Sequence, residues 1–183
     1  MPVDTIVLLV AIPAVFFAGM SKGGFGSGAA FAASPILALV VEPSVALGLM
    51  LPLLMLMDVV SLRAFWGQWH RPSAQALIIG SIPGVGLGAL FYAVVNADIL
   101  RLLIGAIALL FVAYQISRAR GWLKIPNRPF DYTTGITAGF AAGFTSFVSH
   151  AGGPPAAAFM LAQGMEKLRY QATSVAVFWV INL

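Results

Sequence analysis

Long apolar runs dominate the chain and restrict what it can fold into. With 60% hydrophobic and 9% charged residues, it has too few polar side chains to cover such a core in water, so its solvent must be lipid or other helices. Helices are expected, because backbone polar groups in lipid must be paired and the alternation typical of membrane strands is not visible. The sequence therefore predicts an all-α polytopic membrane protein, with apolar segments at about 3–20, 24–41, 44–62, 74–95, 99–117, 133–149, 151–164 and 171 to the end.

Composition also narrows the chemistry of the chain. It contains no cysteine, which excludes disulfides, thiolate metal sites and cysteine nucleophiles. The net charge of +4 would suggest nucleic acid for a soluble protein, but in a membrane protein the distribution of that charge along the chain matters more. We expect the lipid bilayer as a partner, no nucleic acid and no cofactor, and a homo-oligomer stays an open alternative.

The basic residues predict an orientation in the membrane. If the spans alternate and the loop at 118–131 is cytoplasmic, nine of the ten Lys and Arg residues fall inside, and only Arg101 lies at an outer end. Asp4 stands where a signal peptide needs positive charge, so the first segment reads as a retained span. The N-terminus is therefore expected outside, and the loop "RARGWLKIPNRPFD" at 118–131 is expected to be a cytoplasmic linker.

An internal repeat relates the two ends of the chain. Shifting positions 12–58 by 124 residues aligns eleven identities, including Gly19 with Gly143 and Glu42 with Glu166. Five segments separate the starts of the two copies, and an odd number makes the second copy enter from the opposite side, as in inverted-repeat transporters. The predicted organisation is a first transmembrane repeat at 1–117, the linker at 118–131, and the start of a second, incomplete repeat at 132–183.

Each copy contains a break rich in glycine and hydroxyl residues, "SKGGFGSG" at 21–28 and "SHAGGPP" at 149–155. Ser27 can cap a helix running to about 41, and Pro154 suits the first turn of a helix running to about 164. Broken or re-entrant helices of this kind would present free N–H groups and a partial positive charge to an anion. The predicted anion site comprises Ser21, Lys22, Gly23, Gly26 and Ser27 from the first break, and Ser149, His150, Gly152 and Gly153 from the second.

Plainer interpretations exist for the same residues. Glycine and proline at either break can form only a tight turn or a small-residue packing surface. Lys22 can snorkel to the cytoplasmic interface, and His150 can be a hydrogen-bonded structural residue. Asp58 is, with His150, a candidate for proton coupling, but it lies one turn from Arg63 and can be interfacial. At the repeat offset, Asp58 corresponds to Asn182, another polar residue in an apolar run.

Three stretches carry a family resemblance: "GMSKGGFGSGAAFAASPILAL", "GLMLPLLMLMDVVSLRAFWGQW" and "GFTSFVSHAGGPPAAAFMLAQGMEKLRYQATSVAVFWVIN". They closely resemble the TauE/SafE family of bacterial membrane permeases, the sulfite exporter family. The chain has "KGGFGSG" and "HAGGPP" where a fuller "GIGGG" is common in the family. With the resemblance, Thr173 and Asn182, which begin and end "TSVAVFWVIN", join the predicted substrate-binding residues.

The resemblance implies a multi-pass transporter in the bacterial inner membrane that moves, and by family default exports, small anions such as sulfite or organosulfonates. Family members usually continue past the position of Asn182, which implies an incomplete second half and no transport by residues 1–183 alone. A non-transporting assembly subunit is an alternative. An intramembrane hydrolase is a weaker one, because "FGSG" has Phe25 where such an enzyme needs glycine. We expect a non-enzymatic anion transporter that works by alternating access around two glycine-rich helix N-termini.

Overall fold

The structure, a computed structural model, describes residues 5–24, 32–123 and 127–183. Within these ranges the chain forms helices joined by short turns, and the described residues include no strand. The helices are α1 (Thr5–Gly24), α2 (Ala33–Leu37), α3 (Pro43–Ala64), α4 (Arg71–Val94), α5 (Ala97–Ala119), α6 (Tyr132–Ser149), α7 (Gly153–Ala162) and α8 (Lys167–Ile181). This all-α architecture confirms the predicted fold class.

Short helices interrupt the long ones at α2 and α7, as broken spans require. The helices α3, α4 and α5 are long and apolar enough to cross a membrane, by length and composition. In contrast, α7 has ten residues, about 15 Å of helix, or half of a hydrocarbon core of about 30 Å. The helix α2 ends at Leu37 rather than near 41, and its predicted cap, Ser27, lies outside the described residues.

One pair of helix starts matches the repeat offset. The helix α3 begins at Pro43 and α8 at Lys167, a shift of 167 − 43 = 124 residues. The residues before them, Glu42 and Glu166, have nearly the same backbone conformation, with φ/ψ of −60°/139° and −58°/143°. The order α1, α2, α3 is thus repeated as α6, α7, α8, with a short helix in the middle of each copy. The predicted boundary of the repeats and the inversion stay predictions.

The closest helix pair in the molecule joins α4 to α6 through glycines. Each helix carries three glycines spaced four residues apart on the contact face, Gly80, Gly84 and Gly88 in α4 and Gly135, Gly139 and Gly143 in α6. A methyl group added at Gly84 would overlap the backbone carbonyl of Phe140, and one at Gly139 would overlap that of Leu77. Small residues at this spacing let two backbones approach closely in a membrane. The pattern fixes α4 against α6 by shape alone.

Candidate functional site

Lys22 and Asp58 form a buried ion pair between α1 and α3. The Lys22 Nζ contacts Asp58 Oδ1, and the side chains are 4% and 0% exposed. Lys22 Nζ also donates a hydrogen bond to the Leu54 carbonyl oxygen at 3.2 Å, one turn before Asp58 in α3. The structure therefore places the ammonium group inside the protein and paired with Asp58, while the depth of the pair in the membrane stays a prediction.

Two amide side chains from α8 complete this cluster. Asn182 Nδ2 donates to Asp58 Oδ2 at 2.8 Å, so both carboxylate oxygens have a partner. Gln171 Nε2 donates to the Lys22 backbone carbonyl, which ties the end of α1 to α8. We call Lys22, Asp58, Gln171 and Asn182 the central polar cluster. It joins α1, α3 and α8, and therefore joins the first repeat copy to the second.

The burial of the central polar cluster has a cost in desolvation free energy. Removing two opposite charges from water carries a desolvation penalty that their attraction offsets only when the geometry and the additional hydrogen bonds are good. A buried ion pair is therefore weak evidence for stability, and ionisable residues inside membrane segments usually mark a substrate or ion path. The arrangement offers an ammonium group whose counter-ion is a single carboxylate, which a different anion can replace.

His150 lies at the break between α6 and α7 and serves as the C-cap of α6. Its backbone is left-handed, with φ 54° and ψ 21°, and its N–H bonds to the Ser146 carbonyl oxygen at 2.8 Å. The ring Nε2 lies 3.1 Å from the Leu47 carbonyl oxygen and must donate to it. His150 and Asn182 line the same cavity of about 400 Å³, together with Ser146. The second break thus opens toward the residue that also contacts Asp58.

The glycines of the second break are packed against protein. The helix α7 begins at Gly153, with Gly152 as its N-cap and Pro154 and Pro155 following. A side chain at Gly152 would lie 2.6 Å from the Ala142 carbonyl oxygen and 2.8 Å from the Phe178 ring. Proline has no N–H, so two positions in the first turn of α7 cannot donate to an anion. In this conformation, the absence of a side chain at Gly152 lets the backbone pack closely against α6 and α8.

The structure brings together only part of the predicted site. Asn182 joins Lys22 at Asp58, whereas Thr173 lies elsewhere, donating to the Arg169 carbonyl oxygen at 2.7 Å. Ser149 is buried and donates to the Thr145 carbonyl oxygen of its own helix at 2.9 Å. The other predicted residues are placed as follows: Ser21 is buried and Gly23 helical in the last turn of α1, Gly153 is buried at the start of α7, and Gly26 and Ser27 lie outside the described residues.

A second polar network, not predicted from the sequence, fixes the N-terminal end of α4. Ser73 Oγ donates a hydrogen bond to Gln163 Oε1 at 2.8 Å. His70 Nδ1 lies 2.8 Å from Ser73 Oγ, and because that hydroxyl proton is already used, Nδ1 must carry a proton and donate to Ser73 Oγ. The His70 backbone N–H donates to Thr173 Oγ1 at 2.9 Å. Burial and then the charge of Arg169 lower the pKa of His70 below 6.5, which favours the neutral ring. This network anchors α4 to α8 and to the end of α7.

A model of the family described as "Sulfite exporter TauE/SafE" matches residues 11–183. The chain belongs to the TauE/SafE sulfite exporter family. No curated protein and no solved structure matches it. TauE/SafE membership implies a membrane transporter of sulfite or related sulfur anions, and not an enzyme, which agrees with the resemblance seen in "SKGGFGSG" and "SHAGGPP".

Proposed function

We propose that this protein carries small sulfur oxyanions, such as sulfite or organosulfonates, across the bacterial inner membrane by alternating access around the central polar cluster. The family membership supports the class of substrate. The placement of one lysine, one aspartate and two amides between the repeat copies supports the location of the site. Export remains the proposed direction, with the N-terminus outside the cell.

A single observation carries this proposal: Asp58 and Asn182, which correspond at the predicted repeat offset, contact each other. Their numbers differ by 182 − 58 = 124, the repeat offset, and their side chains are hydrogen-bonded at 2.8 Å. Residues related by an internal two-fold axis can touch only close to that axis. In inverted-repeat transporters the substrate site lies at the interface of the repeats, close to the middle of the membrane.

The two copies differ in charge at this axis. Lys22 and Asp58 of the first copy correspond to Ser146 and Asn182 of the second, so the first copy supplies both charges and the second supplies neutral hydrogen-bonding groups. An oxyanion bound at the axis can accept from the Lys22 ammonium and from the Asn182 amide, which are donors. It must displace the Asp58 carboxylate to do so, because two anions cannot share one lysine at close range without repulsion.

This exchange suggests how transport is coupled to protons. Protonation of Asp58 removes its negative charge and leaves the Lys22 ammonium available to the substrate, so that one proton and one anion would enter the site together. His150 is the second candidate for coupling, because it lines the cavity that contains Asn182. Its ring nitrogen faces the Leu47 carbonyl oxygen, whereas Asp58 faces Lys22 directly. We therefore assign the coupling proton to Asp58 before His150.

The test is flux of ³⁵S-sulfite into proteoliposomes containing the full-length protein rather than residues 1–183 alone, with sulfoacetate, sulfate and small carboxylates as competitors. Wild-type protein should transport sulfite and respond to an imposed pH gradient. Lys22→Gln should lose flux per inserted molecule, whereas Asp58→Asn should keep sulfite binding and lose the response to the gradient. Arg120→Gln is the matched control, because Arg120 stacks on Trp122 at 5.2 Å in a loop away from the cluster. Equal flux in Lys22→Gln and wild type would rule out the proposed site.

A further inference from the structure

A second cavity, larger than the one beside His150, lies between the end of α1, the last turns of α5, α7 and the start of α8. Its volume is about 690 Å³. The polar side chains in its lining are Ser21, Tyr114, Gln115, Arg118, Lys167 and Tyr170. Arg118 and Lys167 belong to the end of the protein that the basic residues predict to be cytoplasmic. The cavity is therefore placed where a solute from the cytoplasm would meet the helices.

The charge of this cavity has one sign. Two of its lining residues, Arg118 and Lys167, are cationic, and none of the described residues that line it is acidic. The Arg118 guanidinium lies 5.9 Å from the centroid of the Tyr114 ring. None of the residues that line the cavity offers this guanidinium a carboxylate partner. Positive clefts with low-dielectric walls concentrate anions and raise their rate of association.

A buried hydroxyl group adds a specific donor. Tyr114 Oη is buried and has no hydrogen-bond partner among the described residues. A buried hydroxyl without a partner carries a desolvation cost that a bound acceptor would relieve. Tyr114 lies one helical turn before Arg118 in α5, so the two donors face the cavity from the same helix. A small rotation of the Tyr114 ring that opens its hydroxyl to the cavity would let an oxyanion accept from the phenol and the guanidinium together.

One residue of the cavity lining is a sequence neighbour of the central polar cluster. Ser21, which lines the cavity, is the residue before Lys22, and both are buried in the last turn of α1. Phe17 and Met20, from the same part of α1, and Phe111 of α5 make the wall between the two ends apolar. The cavity thus combines cations at its outer end, an apolar wall and a floor next to the proposed transport site.

We propose that this cavity is a separate binding site, on the predicted cytoplasmic side, for a small free organic anion that joins an oxyanion group to a short apolar chain. Arg118, Lys167 and the Tyr114 hydroxyl bind the oxyanion group, and the apolar wall contacts the carbon chain. The site holds the anion before it reaches Lys22, so this inference rests on the proposed function for its role and on the cavity for its existence. Inorganic sulfite, without a carbon chain, uses only the polar part.

Equilibrium binding of ¹⁴C-ethanesulfonate to the full-length protein in phosphatidylcholine nanodiscs tests the proposal, with every variant made in a Lys22→Gln background so that the proposed transport site does not contribute. Arg118→Gln should weaken binding about tenfold, as expected for loss of a charged hydrogen-bond donor, and Tyr114→Phe should weaken it about threefold. Affinity should rise by about fourfold for each added CH₂ from methanesulfonate to butanesulfonate, because the wall buries the chain. Arg120→Gln, which removes a nearby cation outside the cavity, should bind like its Lys22→Gln parent.

Three outcomes would overturn the proposal. The first is unchanged binding in both Arg118→Gln and Tyr114→Phe, and the second is an affinity that does not depend on chain length. The third is loss of ethanesulfonate binding when the nanodiscs contain phosphatidylglycerol, because a lipid phosphate would then be the occupant. Flux distinguishes this inference from the proposed function: if Lys22→Gln abolishes sulfite flux while Arg118→Gln binds ethanesulfonate normally, the transport site stands and the second site is wrong.

Discussion

Distant parts of this chain are joined by two contacts of opposite kinds. Between α4 and α6 the contact consists of glycines set against backbone, and a single added methyl group would overlap a carbonyl oxygen. Between α1, α3 and α8 the contact consists of the central polar cluster, in which Lys22 and Asp58 are buried and paired. The glycine contact between α4 and α6 allows only one arrangement of the two helices, because closely packed backbones cannot shift gradually. The central polar cluster can exchange partners when a proton or an anion arrives.

This difference suggests that the α4–α6 contact supports the fold and that the central polar cluster serves transport. In the proposed mechanism, a rigid α4–α6 unit moves as one body, and the central polar cluster is the place where the two predicted repeat copies separate and rejoin. Alternating access in inverted-repeat transporters is largely a rigid-body motion of one part against another around a fixed site. Substitutions in the two contacts should therefore have distinct effects, on folding in one case and on transport in the other.

The largest expected effect follows from Gly84→Ala. The new methyl group would overlap the Phe140 carbonyl oxygen, so α4 and α6 must move apart, and we expect a loss of about 4 kcal/mol or more. Gly86→Ala is the matched control, because a methyl group there meets no atom within 4 Å and alanine favours a helix. The measurement is the thermal unfolding temperature of both variants in detergent. Equal temperatures would show that the glycine contact does not fix α4 against α6.

A somewhat smaller effect is expected for Asp58→Leu. It leaves the Lys22 ammonium buried without its carboxylate, which should cost about 3 kcal/mol. The double variant Lys22→Met/Asp58→Leu removes both charges and should recover most of that stability, because an apolar pair can replace a buried ion pair. A double-mutant cycle of unfolding free energies checks this. A double variant less stable than Asp58→Leu would show that the pair is a structural support and not an exchangeable contact.

Much of this fold could be predicted from the sequence, because long apolar segments indicate membrane helices. The predicted segments at 133–149 and 151–164 correspond to α6 and α7, and the break between them falls at His150 as expected. The segment at 24–41 was predicted as one apolar run, whereas its described part contains only the short helix α2. Apolar composition shows that a segment is buried in lipid or protein but does not show where a helix stops.

The site could be predicted only in part, because contacts between helices depend on which helices are neighbours. The repeat offset pointed to Asp58 and Asn182, and their hydrogen bond is the part of the site that the sequence signalled best. Gln171 gave no signal, because it stands at the start of its apolar segment next to Arg169 and Tyr170. The glycine contact was missed, although Gly80, Gly84 and Gly88 already showed the four-residue spacing of a helix packing face.

An intermediate effect is expected for Asn182→Leu. The change removes one hydrogen bond to Asp58 and leaves the ion pair with Lys22 in place, so we expect a loss of about 1 kcal/mol. The half-saturating sulfite concentration should rise, because the substrate also loses the amide donor. Sulfite flux at several concentrations measures the half-saturating concentration, and the unfolding free energy measures the loss of stability. Asn96→Leu, at an exposed helix cap, is the control for both measurements. An unchanged half-saturating concentration would remove Asn182 from the substrate path.

The smallest expected effect concerns His70, at the end of α4. Its pKa is lowered in the folded protein, so the folded state favours the neutral ring and its contribution to stability is full above about pH 6.5. As the pH falls below 6.5, the unfolded chain gains a proton first and this contribution is lost. The unfolding temperature should therefore fall between pH 7 and pH 5 more in wild type than in His70→Gln. The same pH dependence in both proteins would contradict this assignment.

The central claim is that the Lys22–Asp58 pair serves transport and not the fold. The most direct measurement is ³⁵S-sulfite flux per inserted molecule for the double variant Lys22→Met/Asp58→Leu of the full-length protein in proteoliposomes, beside wild type and Gly86→Ala. We predict that the double variant inserts in amounts close to wild type and transports no sulfite, while Gly86→Ala transports at the wild-type rate. Wild-type flux per molecule in the double variant would contradict the account, because anion transport would then proceed without the buried lysine.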